Sequence, residues 1–137
     1  MENASIRKAR VVDIPAILEL IELGTKSGKI LKRSPSDLRR NIRHFWLAEE
    51  DGRLIACCSL EVYCQKLAEV RSVSVRPNHR RKGVASALIA HCLKEARRRR
   101  IYEVLAITDR DNLFKRMGFA EQLHGQKALF SRPGHHS

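Results

Sequence analysis

The chain has 137 residues, about the length of one domain, and 43% of them are hydrophobic, enough for a packed core and against a disordered chain. Its 27 Lys and Arg against 15 Asp and Glu leave a formal charge of +12, which points to an anionic partner. No apolar run approaches the roughly 18–20 residues of a membrane helix, the first residues lack the apolar stretch of a signal peptide, and four cysteines without CxxC spacing argue against a structural zinc site or a disulfide scaffold. The expectation is a reduced, cytoplasmic protein.

Residues 5–12 read as a strand, with Ile6, Val11 and Val12 apolar. Asp13 then has the chemistry of an N-cap, and Pro15 suits the first turn of a helix. Ile14, Ile17, Leu18 and Ile21 keep helical spacing, and Gly24 suits the helix end. A polar, basic loop follows to Arg33. Ser34-Pro35-Ser36-Asp37 opens a second helix: Ser caps, Pro fits the first helical position, and Asp three residues on resembles a capping box. Leu38, Ile42 and Phe45 continue its apolar face.

Asp51-Gly52 is the residue pair that a type I′ hairpin turn prefers. It joins expected strands at 45–50 and 53–60. Cys57 and Cys58 are neighbours on the second of these, so their side chains point to opposite faces and are poor partners for each other. A further strand spans 67–76. A helix over 84–99 carries Val84, Ala85, Leu88, Ile89, Cys92, Leu93 and Ala96 on one face. Residues 104–107 form the next strand, 111–117 a short helix ended by Gly118, and 128–130 a last strand. The order β-α-α-β-β-β-α-β-α-β gives an α/β domain with a mixed, largely antiparallel sheet. It is expected to occupy residues 1–133, with 134–137 as a flexible tail.

The positive charge is concentrated. Residues 70–100 hold ten basic side chains and one acid, Glu95. Within that stretch, Val75-Arg76-Pro77 ends a strand, Arg80-Arg81-Lys82 makes a basic turn, and a helix begins at Gly83-Val84. A helix start presents unpaired backbone N–H groups and the positive end of the helix dipole. Gly83 and Ala85 leave those amides approachable, so the turn has the makings of a pyrophosphate cradle. A surface turn of solvated basic residues is the competing reading.

Arg80-x-x-Gly83-x-Ala85, set between a strand and a helix, resembles the Arg/Gln-x-x-Gly-x-Gly/Ala signature of the GCN5-related N-acetyltransferase (GNAT) superfamily. Val73-x-Val75-x-Pro77 before it and Phe114-Lys115-Arg116-Met117-Gly118-Phe119 after it stand where that family has them. The similarity runs over residues 5 to 120. It implies a V-shaped splay between the fourth and fifth strands, helices on both faces, and acetyl-CoA as co-substrate. Arg80, Arg81, Lys82, Gly83, Val84, Ala85 and Ser86 would hold its phosphates, and Val73 and Val75 its pantetheine arm. Ile30-Leu31-Lys32-Arg33-Ser34, Ala56-Cys57-Cys58-Ser59-Leu60, 68–75 and Ile107-Thr108 resemble the acetyltransferase domain of N-acetylglutamate synthases, including short forms. A chain of this length would work without the amino-acid kinase domain, and so without arginine feedback through it.

The resemblance implies direct transfer to a free amine, most readily the α-amino group of L-glutamate. An ammonium group cannot attack, so a base must take its proton, and Glu69 stands where the synthases have a Glu in that role. Val73 N–H would donate to the oxyanion. The leaving thiolate is often protonated in this superfamily by a Tyr; here Phe114 stands there and carries no proton. Thr108 is the nearest hydroxyl, and a thiolate can also leave unprotonated. Arg33, with Lys32, Arg71 and Ser72, would meet the acceptor's carboxylates. Arg132 is a further candidate.

Alternatives stay open. The acceptor can be another amino acid, a polyamine or a protein terminus, and Phe114 leaves room for a non-catalytic CoA-binding module. Arg97–Arg100 ends a helix, where cations are favoured, and lacks interleaved aromatics, so nucleic acid is not an expected partner. A homodimer is compatible with the sequence. Cys57, Cys58, Cys92 and Trp46 read as core residues, Cys64 has no base near it in sequence, and His44, His79, His91 and His124 lack metal-ligand spacing.

Overall fold

The computed structural model describes residues 4–26 and 32–134. Ile30, Leu31 and the expected tail from His135 onward lie outside the described residues. The elements are β1 (Ala4–Lys8), α1 (Ile14–Lys26), α2 (Pro35–Asn41), β2 (Phe45–Glu50), β3 (Arg53–Val62), β4 (Leu67–Val75), α3 (Val84–Arg98), β5 (Glu103–Ala106) and α4 (Asp111–Arg116). The strands form one sheet in the order β1-β2-β3-β4-β5. All neighbours are antiparallel except β4 and β5, which are parallel.

The Asp51-Gly52 turn forms as expected, with φ of +52° and +77°, the left-handed pair that a type I′ turn requires. Ser34 also acts as expected: its hydroxyl oxygen accepts the Asp37 N–H at 3.1 Å and caps α2. β3 is the central strand and is buried on both faces, which explains its continuous apolar run. Its neighbours Cys57 and Cys58 enter different cores. Cys57 packs with Ile17, Leu20, Ile21 and Leu38 under α1 and α2. Cys58 packs with Leu88, Ile89, Cys92 and the α4 residues Leu113 and Phe114 on the other face. Helices thus cover both faces of the sheet. Burial pushes the Cys57 thiol up to about 12, so it stays protonated and inert.

Five local expectations are corrected. The first strand ends at Lys8, and residues 11–13 form a 3₁₀ turn. Asp13 lies inside that turn, where its carboxylate accepts the Arg10 N–H at 2.7 Å and both Nη atoms of Arg7 at 2.8 Å. The Arg7 guanidinium holds the Asp13 carboxyl below its usual range, so the charged form is locked in place. α1 runs past Gly24 to Lys26. α2 stops at Asn41, a 3₁₀ turn covers Ile42–His44, and Phe45 belongs to β2. No strand forms at 128–130: a two-residue hairpin at His124-Gly125 pairs only Leu123 with Gln126, and Leu129 and Phe130 stand 89% and 72% exposed. No helix among the described residues is long and apolar enough to cross a membrane.

Candidate active site

The site begins where a ladder stops. β4 and β5 pair from Leu67–Glu103 to Val70–Ala106, and β4 continues through Arg71–Val75 with β3 as its partner and no β5 residue on its other edge. The β3–β4 ladder shifts at the same level: Cys57 pairs with Ser74 and Ser59 with Arg71, so Ser72 and Val73 face a single β3 residue, Cys58. This is a β-bulge, and Ser72 takes a left-handed φ of +55° within it. A bulge removes backbone groups from the ladder and bends the strand. The result is a cleft of about 970 Å³ between the free half of β4 and the segment after β5.

Glu69, Arg71, Val73 and Val75 line the cleft from β4, with Glu69 and Arg71 flanking the last β4–β5 pair, and Ile107 and Thr108 line it from the segment after β5. The far wall is α4, through Leu113, Phe114 and Arg116. Phe114 is buried and meets Phe119 edge to face at 5.1 Å, which fixes its ring at the wall. Glu69 accepts the Tyr63 O–H at 2.5 Å on Oε1. Burial, then that bond, pushes the Tyr63 phenol up to about 12, so Tyr63 keeps its proton and orients the carboxylate. Thr108 Oγ1 accepts the Arg110 N–H at 2.8 Å, which shapes the entry to α4. A hydroxyl that accepts there still has its own proton to donate.

The basic turn closes the outer end. Arg80 Nε donates to the Val75 carbonyl at 3.1 Å, tying the turn to the end of β4. Arg81 and Gly83 have φ of +62° and +80°. Gly83 is the N-cap of α3, and no side chain caps that helix. Arg80, Arg81, Gly83, Val84, Ala85 and Ser86 all line the cleft. Apart from its chain neighbours, no atom lies within 4 Å of where a Gly83 Cβ would stand, and Gly83 itself faces the cleft. An uncapped helix start with open space before it and arginines beside it fits a pyrophosphate. Lys82 is exposed and lies off the lining.

The acceptor cations are redistributed. Arg33 has a side chain only 1% exposed. Its Nε and Nη2 donate to Asp37 at 2.7 and 3.2 Å, its Nη1 and Nη2 to Glu61 at 3.0 and 3.2 Å, and Nη1 also to Ser72 Oγ at 3.0 Å. Those bonds occupy its guanidinium, and it does not line the cleft. Where the sequence suggested a carboxylate ligand, the structure places Arg33 as a buried strut between α2 and β3. Lys32 is exposed and also off the lining. Arg71, Ser72 and Arg132 do line it, joined by Arg110 and Arg116, which no spacing in the sequence singled out. Arg97–Arg100 are exposed at the C-terminal end of α3, with Arg98 paired to Glu95 at 2.6 Å. Among the described residues no cluster of His, Cys, Asp and Glu is arranged to hold a metal ion.

The parallel β4–β5 pairing ends beside a bulge in the antiparallel β3–β4 ladder, and an uncapped helix start stands at the mouth of the opening, an arrangement suited to an acyltransferase that uses an acyl-CoA. The Acetyltransferase (GNAT) family model matches residues 16–125, and the chain belongs to that family. It is an N-acetyltransferase, and acetyl-CoA is its co-substrate. The chain is 35% identical over 119 residues to an uncharacterized N-acetyltransferase of Chlorobaculum tepidum, covering 87% of this chain and 77% of that one. It is 33% identical over 120 residues to the amino-acid acetyltransferase of Mycobacterium tuberculosis, covering 85% and 68%. It spans only 28% of the longer amino-acid acetyltransferase of Pasteurella multocida. Among solved structures, Rv2747 of M. tuberculosis in complex with CoA superposes with a TM-score of 0.82 at 29% identity, covering 91% of this chain and 76% of that one. N-acetylglutamate synthase of Neisseria gonorrhoeae, with coenzyme A and N-acetyl-glutamate, gives 0.77 at 29% identity, over 84% of this chain and 27% of that one.

Proposed function

We propose that the protein acetylates the α-amino group of an amino acid, with L-glutamate the first candidate. The observation that carries this reading is the pairing of Glu69 and Arg71, two residues apart on β4 and therefore on one face, where the cleft opens. A carboxylate able to take an amine proton thus stands beside a guanidinium able to hold a carboxylate, the two groups an α-amino acid presents together. The relatives named amino-acid acetyltransferase support the same class.

Each residue then has a task. Glu69 receives the acceptor's proton, with Tyr63 holding Oε1 and leaving Oε2 for the amine or an intervening water. Arg71 and Ser72 orient the acceptor, with Arg132 as a second cation on the lining. The amides at 83–86 with Arg80 and Arg81 bind the phosphates, Val73 and Val75 offer the free edge of β4 to an extended chain, and Val73 N–H donates to charge building on a carbonyl oxygen. Bound acetyl-CoA supplies the activated acetyl group. Thr108 Oγ1 is the hydroxyl at hand for the leaving sulfur, and Phe114 closes the wall against water.

Acetyl transfer measured over a panel of amino acids, their α-amides, a polyamine and N-terminal peptides tests this. Turnover of glutamate or another free amino acid, lost when the α-carboxylate is amidated, is expected. Turnover of the polyamine alone would replace the acceptor class. Tight CoA binding with no turnover of any amine would favour the CoA-binding module that Phe114 leaves open.

A further inference from the structure

Glu61 plays no part in the reaction described above, yet it is the most heavily engaged carboxylate in the cleft region. The register sets it opposite Glu69, and sets Ser59 opposite Arg71, so these four side chains share one face of the sheet. Glu61 is buried. Its Oε1 accepts from Arg71 Nη1 at 3.0 Å and Arg33 Nη2 at 3.2 Å. Its Oε2 accepts from Arg33 Nη1 at 3.0 Å and Ser59 Oγ at 3.2 Å. The two arginines differ. The Arg33 side chain is 1% exposed and fully engaged, whereas the Arg71 side chain is 30% exposed and lines the cleft.

A long arginine that samples many rotamers loses that freedom when it binds a ligand, and a contact that fixes it beforehand lowers the cost of binding. A buried carboxylate can serve as that contact only with a counter-charge of its own. We propose that Glu61 is a positioning residue that presents Arg71 to the acceptor's carboxylate, with Arg33 as its buried counter-charge. The inference rests on the amino-acid reading above and deepens it. It also accounts for Arg33, a charged side chain spent inside the protein rather than on a ligand.

The test is a cycle of variants read in steady-state kinetics, using the best amino acid from the panel. Arg71→Gln is expected to raise the acceptor KM about tenfold or more, with kcat and the acetyl-CoA KM within about twofold of wild type. Glu61→Gln is expected to raise the acceptor KM by about fivefold or more in the wild-type background and by less than about twofold when Arg71 is already Gln. Glu61→Asp keeps the counter-charge that Arg33 needs and serves if Glu61→Gln does not fold; the same background dependence is expected of it. An equal rise in both backgrounds would show a general structural role and overturn the inference, as would no rise in either. Turnover of amino acids with a KM indifferent to Arg71 overturns this inference alone; failure of every carboxylate acceptor overturns it together with the acceptor class.

Discussion

Glu69→Gln is expected to lower kcat by about 10²–10⁴-fold, the range that a positioned general base contributes. The substitution keeps the shape of the side chain and its place on β4. The Tyr63 O–H still finds an oxygen acceptor in the amide, so the local fold is held. What is lost is the ability to take a proton from the attacking amine. The acetyl-CoA KM should stay near wild type, because Glu69 lies on the part of β4 still paired with β5, whereas the amides at 83–86 follow the other end of that strand. Initial rates of thiol release across acceptor and acetyl-CoA concentrations give both parameters. A kcat within about threefold of wild type would remove Glu69 from the proton transfer.

Gly83→Val is expected to raise the acetyl-CoA KM by about 10–100-fold while leaving the acceptor KM unchanged. Two effects combine. Gly83 has φ of +80°, where a residue with a Cβ is strained by roughly 1–2 kcal/mol, and a β-branched residue fits worst. Apart from its chain neighbours, no atom lies within 4 Å of the added Cβ, so the bulk added at this cleft-lining position is expected to crowd a phosphate rather than the protein. Gly83→Ala shares most of the backbone strain and adds far less bulk. Isothermal titration of CoA into both variants, beside their melting temperatures, separates the two contributions. Equal CoA affinity for Val and Gly at position 83 would move the phosphate site elsewhere.

Much of this site can be read in the sequence because it rests on local chemistry. Asp51-Gly52 and Ser34-Pro35 set their turn and cap through their own backbone and side chains. The strand, basic turn and helix at 73–86 form a contiguous run, and contiguity is what a sequence displays directly. The errors have local causes too. Asp13 has the chemistry of a cap, yet Arg7 and the Arg10 amide claim it inside a turn. Gly24 permits a helix end without enforcing one, and the helix continues to Lys26.

The polar cluster could not be read this way. Arg33 lies 28 residues from Glu61, and whether it reaches a ligand or a buried carboxylate depends on how α2 packs on β3. Tyr63 and Glu69 meet across a turn, and Arg71 faces Ser59 only because the ladder shifts by one residue at the bulge. A register shift reassigns every side chain that follows, and no residue near Ser72 announces it. Arg110, Arg116 and Arg132 belong to the site only once the chain after β5 folds back along β4.

The cleft carries six arginines, at 71, 80, 81, 110, 116 and 132, against the two acids Glu69 and Asp109. That imbalance acts before any contact is made. A field of one sign at the mouth of a concave site draws a polyanionic substrate in and turns it phosphates-first, so the frequency of productive encounters rises. The reach of that field shrinks to about 10 Å at 0.1 M ionic strength, while the short bonds made after docking are screened much less. Added salt is therefore expected to slow the donor's arrival before it loosens the bonds that hold the donor once docked.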